Sequence, residues 1–140
     1  MAIKDAPTKV IDDVGQEYDP TEIPESEYSD VIEYMEKTYP EMTSEFKNIQ
    51  RDQYELFCKK QYDYGPQNIA VGTILKTKED VKLSLLGIWF RMNDKIERLK
   101  TLLMKDNNHA VENESVVDSF SDISNYGVMA KVVARGKWAK

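Results

Sequence analysis

Hydrophobic positions recur every three to four residues along most of this chain, and nowhere alternate every second residue over a strand's length. Tyr28, Val31, Ile32 and Met35 mark a first helix that opens at Ser26 or Glu27 and runs to Tyr39, where Pro40 ends it. Phe46, Ile49, Leu56 and Phe57 mark a second, opening at Thr43 or Ser44 with Ser44 as its N-cap, and stopping where Gly65 and Pro66 break the helix. The stretch NIAVGTIL, from Asn68 to Leu75, reads as a loop or a brief extended piece. TKED, Thr77 to Asp80, has the form of a capping box and predicts a third helix over 78–104. After the polar link KDNNHAVENE, a fourth helix spans 115–134. The pattern predicts an all-α helical bundle of four main helices over 25–140. It is preceded over 1–24 by an acidic, flexible arm broken by Pro7, Pro20 and Pro24.

On the third helix Val81, Leu85, Ile88, Met92, Ile96, Leu99 and Leu103 form the main apolar stripe, with Lys95 beside it. On the fourth, Val116, Phe120, Ile123, Gly127, Ala130 and Ala134 do the same. Each helix also has a second sticky line that carries acids. Leu83, Leu86 and Phe90 continue into Asp94, Glu97 and Thr101, while Met129 and Val132 share their line with Asp118, Asp122 and Asn125. Such faces predict a homo-oligomer, a homodimer or homotetramer.

The 140 residues, 41% of them hydrophobic, suffice for one domain with a real core. The net charge of −6 carries no basic tract and argues against nucleic acid or an anionic membrane as partner. One cysteine, Cys58, and one histidine, His109, exclude an intrachain disulfide and a usual zinc site. With no apolar run of membrane-spanning length and no leader-like segment, the expected compartment is the cytoplasm.

The acids raise the chemical question. Glu114, Asp118 and Asp122 repeat at one-turn spacing on a helix that is apolar on nearly every side. If packing brought them against Asp94 and Glu97, their mutual repulsion would call for a compensating cation. Mg²⁺, with Mn²⁺ as substitute, suits an all-oxygen ligand set and leaves room for the phosphates of a phosphate ester. A plainer account stands beside this one: Ser115 to Asp118 fits a capping box, and Asp94 and Glu97 have basic neighbours to pair with. Asp122 tips the balance toward a site, because it lies beyond any cap and has no base three or four positions away. At the break between the second and third helices, YDYGPQN sets Tyr64 beside Gln67 and Asn68, suited to stacking on a base and bonding its edge. A helix end with surface tyrosines is the competing reading.

YGPQNIA, RMNDKIERLKTLL and ESVVDSFSDISNYGVMAKVV, taken in order over roughly residues 45 to 138, resemble the nucleotide-modification-associated domain of many phage and some bacterial proteins. That family is similar to the MazG-like all-α nucleoside triphosphate pyrophosphohydrolases. The resemblance implies a metal held by two acid pairs on successive helices. Asp94 and Glu97 match the first in spacing, with Asp for the first Glu. Glu114, Asp118 and Asp122 replace the second at four-residue steps instead of three. It further implies hydrolysis of a (deoxy)nucleoside triphosphate to monophosphate and pyrophosphate in the cytoplasm, the host's for a phage-encoded chain. Glu97 would be the proton acceptor, and Arg91, Lys95, Arg98 and Asn125 would serve substrate binding. A nucleotide-sequestering module without turnover, or a helical protein-interaction domain, are the alternatives.

Overall fold

The computed structural model describes residues 10–11, 15, 17–18, 25–105 and 116–140. It is all-α, as the periodicity predicts, with a two-residue antiparallel ladder near its beginning between Val10–Ile11 (β1) and Glu17–Tyr18 (β2). Among the described residues five helices follow: α1 over Glu25–Thr38, α2 over Pro40–Tyr64, α3 over Gln67–Ala70, α4 over Lys78–Met104 and α5 over Val116–Ala134. The chain divides into two compact units, Met1–Asn48 and Ile49–Lys140. The arm expected over 1–24 lies mostly outside the described residues.

In the first unit, α2 begins at Pro40 and not at Thr43 or Ser44 as expected. Proline has no N–H to leave unpaired in a first turn and its φ is already helical, so here it opens a helix as well as closing one. Across the junction the Thr43 amide donates to the Tyr39 carbonyl, and Lys47 pairs with Glu36.

The second unit holds the core: Ile69, Ile88, Met129, Val133 and Trp138, with Phe57, Val81, Leu85, Met92 and Tyr126 packed around them. α4 enters it as its sequence requires. The Thr77 hydroxyl accepts from the Asp80 amide and the Asp80 carboxylate accepts from the Thr77 amide, closing the capping box. Its buried face centres on Ser84, Ile88 and Leu99, close to the expected stripe, whereas Ile96 and Leu103 near its far end are exposed.

α5 packs on α4 by a different face from the expected one. Its buried residues are Ser119, Met129 and Val133, while Phe120, taken for a core residue, is 54% exposed. At 100° per residue Phe120 lies about 180° from Met129, so the helix is turned by roughly a quarter or more from its predicted orientation. Asp122 thereby sits in the middle of the inward face.

α3 is a single helical turn where a loop or extended piece was expected. It is held by the wholly buried Ser84, whose hydroxyl donates to the Ile69 carbonyl at 2.6 Å. The residues after α5 form an ordered turn. Gly136, at φ +69°, donates to the Val133 carbonyl and Lys137 to the Val132 carbonyl, the paired bonds of a Schellman cap that needs a left-handed residue at Gly136. This turn sends Trp138 back into the core. There it meets Phe57 edge to face with centroids 6.0 Å apart, and its Nε1 donates to the Pro66 carbonyl at 2.9 Å.

Candidate functional site

The second unit contains a cavity of about 330 Å³, near the lower end of the roughly 300–1,000 Å³ of small-molecule sites. One face of α2 supplies Phe57, Lys60, Gln61 and Tyr64, which share a helical stripe at steps of three and four residues. The turn after it adds Asn68 and Ile69, α4 adds Arg91 and Lys95, and α5 adds Asp122, Asn125, Tyr126 and Met129. Among the described residues three cationic side chains therefore face one carboxylate, which makes their lining of the cavity positive in a chain whose net charge is −6.

Asp122 is the electrostatic centre. Lys60 donates to its Oδ1 at 2.9 Å, and Lys95 lies 3.1 Å from its Oδ2, so each carboxylate oxygen has an ammonium partner. The Asp122 side chain is only 16% exposed. Burial by itself would push its carboxyl up, but the hydrogen bonds and charges of Lys60 and Lys95 outweigh that and hold it below the ordinary aspartate range. Burial likewise draws the Lys60 ammonium down, and the Asp122 hydrogen bond and charge, helped by Tyr126 and Tyr64, hold it above its ordinary value. A carboxylate so stabilised is ionised at neutral pH and accepts protons weakly, which suits it to structure better than to general-base work.

Around this centre the polar groups are mutually braced. The Arg91 guanidinium donates to Asn68 Oδ1 at 2.8 Å, tying α4 to the turn beyond α2. The Asn125 amide donates to the main-chain carbonyl of Gln53 at 3.1 Å, and Gln53 Nε2 donates to Ser124 Oγ at 2.9 Å. Those bonds clamp α5 to α2, so Asn125, expected to contact substrate, holds the cavity wall in place.

Of the residues expected to bind substrate, Tyr64, Asn68, Arg91, Lys95 and Asn125 line the cavity and Gln67 and Arg98 do not. The acids are distributed differently from the expected metal site. Asp94, Glu97 and Asp118 are exposed, and Glu114 lies outside the described residues. Glu97, expected to take the proton, falls about 180° round α4 from Ile88, on the outward face away from the cavity-lining Lys95. Among the described residues no three acids, histidines or cysteines lie together as a metal would require. With both Asp122 oxygens engaged by ammoniums, the described residues do not fit a bound Mg²⁺ as they stand. Asp122 draws its compensation from Lys60 and Lys95.

Lys60 is the residue that the sequence reading missed. Its signal was the one that flagged Asp122: a charged side chain continuing the apolar line of its helix, here from Phe57. Comparison with protein-family models, with curated proteins and with solved structures gave no match. None of the described helices is long and apolar enough to cross a membrane.

Proposed function

We propose that this chain binds the phosphates of a nucleoside triphosphate in the cavity between α2, α4 and α5. The observation that carries the reading is the convergence of Lys60, Arg91 and Lys95 on one cavity of an acidic protein, beside aromatic and amide groups. Cations partly withdrawn from water attract a polyanion far more strongly than solvated ones do. Tyr64, at the exposed rim, offers a ring face to the base. The sequence resemblance extends the proposal to turnover: hydrolysis to monophosphate and pyrophosphate with Mg²⁺ as cofactor.

A second reading, binding without hydrolysis, is favoured by the pairing of both Asp122 oxygens with Lys60 and Lys95. One experiment tests both: a panel of the common nucleoside triphosphates with Mg²⁺, reading pyrophosphate, monophosphate and the shift in melting temperature. Pyrophosphate release supports the hydrolase. A nucleotide-dependent rise in melting temperature without release supports the binding module, and neither effect with any nucleotide overturns the proposal.

The outward face of α4 bears on assembly. Leu83, Leu86 and Phe90 line it and are 43–59% exposed, with Trp89 alongside. Covering such a face in a homodimer or homotetramer requires about 800 Å² per subunit for a stable contact. Light scattering at micromolar concentration is expected to return two or four times the chain mass of 16.2 kDa. A single-chain mass would contradict self-association.

A further inference from the structure

We infer that Asp122 is a built-in counter-ion that holds Lys60 and Lys95 together in the empty cavity and competes with the ligand's phosphate for them. The inference rests on the phosphate-binding reading above and assigns Asp122 a role within it. Lys60 comes from α2, Lys95 from α4 and Asp122 from α5, so one carboxylate joins three helices at a single point. Two ammoniums brought that close would repel each other, and in a partly buried setting the repulsion is poorly screened. The carboxylate removes it by presenting one anionic oxygen to each.

A phosphate also presents pairs of anionic oxygens, and each ammonium has three N–H donors, of which Asp122 engages one. An incoming phosphate therefore joins or replaces Asp122 at the same two cations. In either case the carboxylate repels it at short range. Asp122 thus stabilises the empty protein at the expense of ligand affinity, which is the reverse of a metal ligand or a substrate contact. Arg91 remains outside this competition, since it donates to the neutral Asn68.

The test uses pyrophosphate as probe, with EDTA present, on the full chain and its Asp122→Asn and Asp122→Ala variants. Calorimetry and thermal melting are read together. The expected result is that each variant melts lower than wild type without ligand, binds pyrophosphate on the order of tenfold more tightly, and gains more melting temperature from saturating pyrophosphate than wild type does. Wild-type binding combined with equal or weaker binding in the variants would overturn the role of Asp122 and leave the phosphate site standing. Absence of binding in all three proteins would overturn the phosphate site itself, and the inference with it. If the amide variant fails to fold, the alanine variant decides the matter by its pyrophosphate affinity relative to wild type, because any ligand of the folded state raises the melting temperature and only the affinity comparison separates a counter-ion from a structural role.

Discussion

Trp138→Ala is expected to destabilise the second unit by about 3–5 kcal/mol, the range for deleting a large buried aromatic. For a chain of this size that corresponds to a fall in melting temperature on the order of 10 °C. The indole is 6% exposed, packs on Phe57 and bonds the Pro66 carbonyl, so its removal opens a cavity beneath two walls of the site. Trp138→Phe separates the two contributions. It keeps most of the packing and loses the Nε1 bond, but the Pro66 carbonyl still accepts from the Ile69 amide, so the cost should be nearer 1 kcal/mol. Because Phe57 and Ile69 line the cavity, the alanine variant should also bind nucleotide more weakly, even well below its melting temperature. Chemical denaturation followed by circular dichroism measures the first effect and calorimetry the second. A chain that loses Trp138 with less than about 1 kcal/mol of cost would show that the C-terminal turn does not pack as described.

Lys60→Met and Lys95→Met are each expected to weaken triphosphate binding by roughly 10- to 100-fold, the worth of a charged hydrogen bond. Methionine keeps the apolar stem of lysine and removes the ammonium, and in each single variant Asp122 retains one of its two partners. Stability should therefore fall modestly while affinity falls steeply. Lys59→Met makes the control. It is a neighbouring lysine of α2 that pairs with exposed Glu55 outside the cavity, and it should leave affinity within about twofold. Equal affinity in all three variants would remove the phosphates from this cavity.

How far the sequence leads can be followed residue by residue. α4 was legible almost completely, because its cap is local and its inward stripe of Val81, Leu85, Ile88 and Met92 contrasts with its surroundings. α5 was legible as a helix but not in its orientation. It is apolar on nearly every side, so no stripe stands out, and the face that packs inward carries Ser119 and Asp122. Those polar residues are tolerable there only because partners arrive from elsewhere: Lys60 lies 62 positions away in sequence, and no local rule connects the two.

Asp122, singled out in the sequence as a site residue, lines the cavity, and its two oxygens pair with Lys60 and Lys95. The prominence of Tyr64 and Asn68 in YDYGPQN anticipated part of the cavity wall. Asn68 spends its oxygen on Arg91, and Gln67 stays outside. The turn at Gly136 was readable in principle, from a glycine two places beyond the last helical residue with an aromatic soon after.

The central claim is that nucleotide phosphates occupy the cavity walled by α2, α4 and α5, and the methionines allow it to be tested directly. Met129 lines that cavity and is buried, whereas Met42 and Met104 are more than half exposed and are not among its lining residues. In protein labelled with ¹³C at the methionine methyl groups, with the resonance of Met129 assigned through Met129→Leu, titration with a deoxynucleoside triphosphate should shift the Met129 methyl saturably. Met42 and Met104 should stay in place. A Met129 resonance that does not move at nucleotide concentrations that raise the melting temperature would place the ligand elsewhere and contradict the account.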